Sequence, residues 1–91
     1  MCELLELINN CKVNKTRNGY IVKNGTGDII GRFSAGDEAE FAEAVYAAIY
    51  DYIDSRATKY RSCWEYLGAV FEAIDKRAEQ FAAVYFKEVK G

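Results

Sequence analysis

Gly25, Gly27 and Gly31, in the stretch NGTGDIIG, follow the pattern GxGxxxG, one residue away from the glycine fingerprint that cradles a dinucleotide pyrophosphate. Such a loop holds phosphate when a strand precedes the glycines and a helix follows them, because the helix N-terminus supplies the backbone N–H donors. Here strand-like runs flank the glycines on both sides, GYIVK before and DIIGRF after. Residues 18–34 therefore read as a β-hairpin. With Gly25-Thr26 as a two-residue turn, Lys23 faces Asp28, Val22 faces Ile29, Ile21 faces Ile30 and Tyr20 faces Gly31. That register pairs opposite charges and aliphatic groups and sets an aromatic ring over a glycine. One hairpin face then carries Tyr20, Val22, Ile29 and Phe33, the other Ile21, Lys23, Ile30 and Arg32.

The remaining chemistry-bearing residues point away from catalysis. The chain has no histidine, the commonest general base and metal ligand. Cys2, Cys11 and Cys63 form no CxxC, which argues against a structural zinc site. Cys63, beside Trp64, reads as a small buried hydrophobe with no base to activate it. The acids Glu40 and Glu43, and Glu72, Asp75 and Glu79, recur at helical spacing, which is the geometry of a carboxylate pair and equally that of a solvated helix face. Lys76 and Arg77 are interleaved with the second set, which favours the solvated face. No enzyme activity, cofactor or metal is expected.

A different chemistry is open to the cations. Lys12, Lys15, Arg17, Lys23 and Arg32 stand against Asp28 alone in residues 12–32, whereas residues 37–91 hold eleven acids against seven bases. This basic island on a chain of net charge −2 offers phosphate contacts, and Tyr20 and Phe33 beside it offer base stacking. A nucleotide- or nucleic-acid-binding module is the alternative function this implies. The cations serve equally well as solubilising and edge-protecting charges.

The elements that must position these groups are few. Ninety-one residues without proline make one domain, expected over 1–91. CELLELI, in residues 1–11, reads as a short helix. After Gly36, Asp37 and Glu40 resemble a capping box and open a helix over 37–55, with Phe41, Val45, Ala48, Ile49, Tyr52 and Ile53 on one side. Tyr60, Trp64, Leu67, Phe71, Ile74, Ala78, Phe81 and Tyr85 then alternate by four and three, a heptad seam on a helix over 59–88. The fold class is α+β, in the order α-β-β-α-α, with the two long helices antiparallel. Unbroken, the last helix measures about 45 Å and its partner about 27 Å. It must break, at Gly68, or project beyond its own domain. If it projects, Phe81, Tyr85 and Phe86 need the hairpin, the N-terminal segment or a second copy to cover them.

Two surfaces are expected from this layout. Trp64, Phe71, Ile74, Phe81, Tyr85 and Phe86 are candidates for self-association, with a homodimer the first expectation because so small a chain builds a small core. Glu43, Asp51, Glu72, Asp75 and Glu79 make an acidic face for a protein partner. Tyr46 and Tyr50, one turn apart, with Tyr66 and Phe86 on flanking positions, supply rings of the kind that anchor interfaces. The longest apolar run, AVYAAIY, is too short to span a bilayer. An odd number of unpaired cysteines points to a reducing compartment, the cytoplasm.

A proline-free, histidine-free, aromatic-rich chain of one β-hairpin and one helical hairpin resembles the small accessory proteins of bacteriophages and mobile elements, including anti-CRISPR and other anti-defence inhibitors. The resemblance implies a stoichiometric, non-enzymatic inhibitor or regulator of a larger host complex, acting as an oligomer through an acidic or aromatic surface. A structural self-assembly unit is the third reading.

Overall fold

The computed structural model describes residues 3–57 and 67–86. Along the chain run α1 (Glu3–Asn9), β1 (Lys12–Thr16), β2 (Gly19–Lys23), β3 (Ile29–Phe33), α2 (Glu38–Ala57) and α3 (Leu67–Phe86). The α+β class and the hairpin followed by a helical pair are as the sequence predicts. β1 is an addition: it pairs antiparallel with β2, giving a three-stranded sheet in the order β1-β2-β3.

The register between β2 and β3 corrects the sequence reading. Tyr20 faces Phe33, Ile21 faces Arg32 and Val22 faces Gly31, with a bulge at Val22/Lys23. The cause lies in Asn24. Its Oδ1 accepts from the backbone N–H of Thr26 (3.0 Å) and of Asp28 (2.9 Å) and from the Thr26 hydroxyl (2.8 Å), while its own N–H donates to the Asp28 carbonyl. A buried Asn24 thus organises a longer Asx-type loop in place of the two-residue turn, and Gly27 takes the positive φ of 92° that the loop demands. Gly31 is not a slot for Tyr20. A Cβ built on it would lie 2.8 Å from the Cβ of Ala48, so its missing side chain is what lets α2 approach the sheet.

α2 begins as its sequence predicts. Asp37 Oδ1 accepts from the Glu40 N–H at 2.9 Å, and the Glu40 carboxylate accepts from the Gly36 N–H at 2.7 Å, a reciprocal cap on the first turn. Phe41, Val45, Ile49 and Ile53 then form one buried stripe at four-residue spacing. On α3 the buried line is Val70, Ile74, Ala78 and Ala82, which shares Ile74 and Ala78 with the heptad seam while the seam's rings Phe71, Phe81 and Tyr85 flank it. Leu4 and Ile8 of α1 and Cys11 after it complete the core.

Phe41 is fully buried and centres an aromatic cluster. Its ring centroid lies 4.8 Å from Tyr20, 5.5 Å from Phe33, 5.6 Å from Tyr85 and 5.3 Å from Phe86. The last turn of α3 is therefore covered by the chain's own sheet and α2, the first of the three coverings the sequence allows. Two polar contacts fasten α3 to the start of the sheet: Arg77 Nη2 donates to the Cys11 carbonyl at 2.9 Å, and the Tyr85 hydroxyl donates to the Val13 carbonyl at 3.0 Å. β1 is an edge strand, and carbonyls of alternate residues point the same way, so α3 caps the polar edge that β2 leaves open. No helix among the described residues is long and apolar enough to cross a membrane.

Candidate protein-binding surface

The helical pair carries an aromatic stack on one flank, outside the buried stripes. Tyr46 and Tyr50, four residues apart on α2, stack with centroids 6.2 Å apart and planes 16° from parallel. Tyr50 stacks in turn on Phe71 of α3, at 5.9 Å and 19°. Tyr46 is half-buried against the core, whereas Tyr50 is 38% and Phe71 41% exposed. The stack is thus rooted at one end and open to solvent at the other.

The acids expected to bind a partner divide around this stack. Asp75 and Glu79 follow Phe71 at one- and two-turn spacing, so they continue the α3 line that begins at the stack. Glu72 lies round the helix from them, in a cleft against α1 lined by Leu5, Asn9, Ala69, Ala73 and Lys76. On α2, Glu43 precedes Tyr46 by three residues and Tyr50 by seven, placing it on the same flank. All four carboxylates are exposed. Asp51 departs from the set. It lines a shallow cleft against β3 with Gly31, Arg32, Ala44 and Ala48, around the helix from the stack.

Of the residues expected to self-associate, Ile74 is fully buried, and Phe81, Tyr85 and Phe86 are half-buried in the chain's own core. The Arg77 guanidinium also lies 4.6 Å from the Phe81 ring centroid. Phe71 is the exposed member. Trp64 lies outside the described residues, as do Tyr60, Cys63, Tyr66, Cys2 and the 59–66 stretch of the expected long helix.

The cations separate by sheet face. Val13, Tyr20 and Val22 are buried, so Lys12, Ile21, Lys23 and Arg32, at alternate or paired positions, belong to the outer face. Arg17, at the β1-β2 turn, lines one open cleft of about 580 Å³ with Arg32, together with Thr16, Asn18, Ile21 and Ser34. Lys15 leaves the group: its ammonium stands 4.9 Å from the Tyr20 ring centroid. Tyr20 and Phe33, expected as base-stacking rings, instead stack on each other at 5.4 Å and pack on the core, with Tyr20 only 8% exposed. Strand alternation forces this, since the apolar residues of one pleat all turn toward the helices.

The fold alters the acidity of Cys11. Burial raises its thiol from 9.0 to about 11, with the Arg77 charge opposing part of the rise, and its Sγ–H donates to the Leu7 carbonyl at 3.3 Å. A thiol held protonated is a packing group and not a nucleophile. No group of three or more metal-ligating side chains is found among the described residues.

Sequence reasoning had each ring of the stack but not their union, because Tyr50 and Phe71 meet only once the helices pair. It also missed Thr16, Asn18 and Ser34, which the third strand gathers beside Arg17 and Arg32. No family model, curated protein or solved structure matches the chain.

Proposed function

We propose that this chain is a non-enzymatic interaction module, a small stoichiometric inhibitor or regulator of a larger host complex, and that it docks through the Tyr46–Tyr50–Phe71 flank onto a basic protein surface. The supporting observation is the aromatic stack itself, rooted in the core and solvent-exposed at Tyr50 and Phe71, with the exposed Glu43, Asp75 and Glu79 at helical spacings that put them on the same flank. Interface anchors have this anatomy: rigid rings at the centre, held at little entropic cost, inside a polar rim. An arginine or lysine entering such a site gains cation–π contact with the rings and charge pairing with the rim. The chain already contains the first element, since the Arg56 guanidinium sits 4.3 Å from the Tyr52 ring centroid.

Self-association through Phe71 would use the same flank and compete with the partner. Native mass spectrometry of the protein recovered from cells with its bound partner, and of the complex rebuilt from pure components, reads the stoichiometry directly. Tyr50→Ser and Phe71→Ser should each abolish the complex while circular dichroism remains unchanged. A complex that forms normally with both substitutions refutes the assignment of this flank.

A further inference from the structure

A second surface, opposite in charge and independent of the protein-binding flank, is carried by the sheet. In the β1-β2 register Lys12 stands directly across from Lys23. Like charges opposed on neighbouring strands destabilise a sheet, and the outward positions of the strands carry no carboxylate to neutralise them. Two residues along β2 from Lys23, Ile21 pairs with Arg32, which lies between the cleft it shares with Arg17 and the shallow cleft against α2 that it shares with Asp51. Four cations thus run from one end of the outer face to the other. At the Arg17 end the Thr16 and Ser34 hydroxyls and the Asn18 amide add neutral hydrogen-bonding groups, and no acid lines the cleft.

We propose that the outer face of the sheet binds the phosphate backbone of a nucleic acid, with one phosphate group seated between Arg17 and Arg32. The extent of the charge favours a polymer: a single phosphate needs the cleft alone, whereas Lys12 and Lys23 lie at the far end of the strands. Tyr20 and Phe33 border the cleft, but their rings stack on each other and pack on the core, so the face recognises charge and shape rather than sequence.

The probe is a short fluorescein-labelled DNA duplex of mixed sequence, with binding read by anisotropy as salt is raised. Four phosphates neutralised give a slope of about −3.6 in log K against log salt, or roughly 150-fold weaker binding between about 50 and 200 mM. The double variant Arg17→Ala/Arg32→Ala should roughly halve that slope, to about −1.8. Both residues are exposed, so the fold is retained. Lys76→Ala, which removes an exposed charge on α3, should leave the slope unchanged. Absence of binding at low salt overturns the proposal, as does a slope the double variant does not alter. Displacement of the duplex by equimolar mononucleotide overturns it in favour of a small-ligand cleft. Salt-sensitive self-association without DNA binding overturns it in favour of docking on the acidic flank of another copy.

Discussion

The hydroxyl of Tyr85 donates to the carbonyl of Val13 at 3.0 Å across 72 residues of sequence, tying the last described turn of the chain to its first strand. The bond completes an edge carbonyl that β2 does not reach. Tyr85→Phe keeps the ring among Tyr20 and Phe41 and removes only this bond, so it should lower unfolding stability by about 1 kcal/mol in chemical denaturation. A loss near zero would mean that water replaces the hydroxyl there.

The cap of α2 can be tested in the same way. Asp37→Ala should cost about 1 kcal/mol, and Asp37→Asn much less, because asparagine caps as well as aspartate does. Since Glu40 answers Asp37 reciprocally, the double variant Asp37→Ala/Glu40→Ala should cost less than the two single losses added. Strict additivity would show that the two carboxylates act separately.

At the junction of β3 and α2, Gly31→Ala forces two methyl groups within 2.8 Å of each other. Overpacking of this kind costs about 1 to 3 kcal/mol. Ala48→Gly in the same chain should recover part of the loss, although it adds about 1 kcal/mol of helix cost of its own. Failure of the second change to rescue the first would place the strain in the backbone of β3 instead.

Cys11 gives a signature in pH. Its folded thiol titrates near 11 against 9.0 in the unfolded chain, so its contribution is complete below pH 9 and is lost as pH rises toward 11. Wild-type stability should therefore fall more steeply than that of Cys11→Ala between pH 9 and 11. Thiol reagents should modify Cys11 only as fast as the protein opens. Parallel stability curves for the two proteins would contradict the burial of the thiol.

Reversal of Glu72, Asp75 and Glu79 to lysine, with the fold checked by circular dichroism, should reduce partner binding at least a hundredfold and invert its salt dependence. Unchanged affinity would remove the acidic rim from the interface and leave the rings alone to account for it.

Much of this fold was legible because local signals agreed. The Asp37 and Glu40 pair, the four-residue stripe from Phe41 to Ile53, and the two strand-like runs around Asn24 each specify one element. β1 escaped notice because KVNKT offers a single apolar residue, Val13, and its strand character comes from pairing with β2. The hairpin register turned on one side chain: the sequence NGTGD supports a glycine turn, and the three bonds accepted by the Asn24 amide oxygen decide for the longer loop. On α3 the heptad includes Ile74 and Ala78 of the buried line, but the other fully buried positions are Val70 and Ala82 instead of Phe71 and Phe81, which sit half-exposed beside them. The candidate sites were legible as residues and not as constellations, since Tyr50 meets Phe71, and Arg17 meets Arg32, only through tertiary pairing.

The covering of β1 by Arg77 and Tyr85 also sets an order of events during synthesis. At about 5 to 20 residues per second, the ribosome delivers Tyr85 roughly 4 to 14 s after Val13. Once out of the ribosome, the nascent sheet presents an uncapped strand to solvent until α3 follows, long enough for a chaperone or a neighbouring nascent chain to pair with it. The helix that completes the core is thus also the element that ends this exposure, and truncations upstream of residue 77 should accumulate as aggregates rather than as smaller folded proteins.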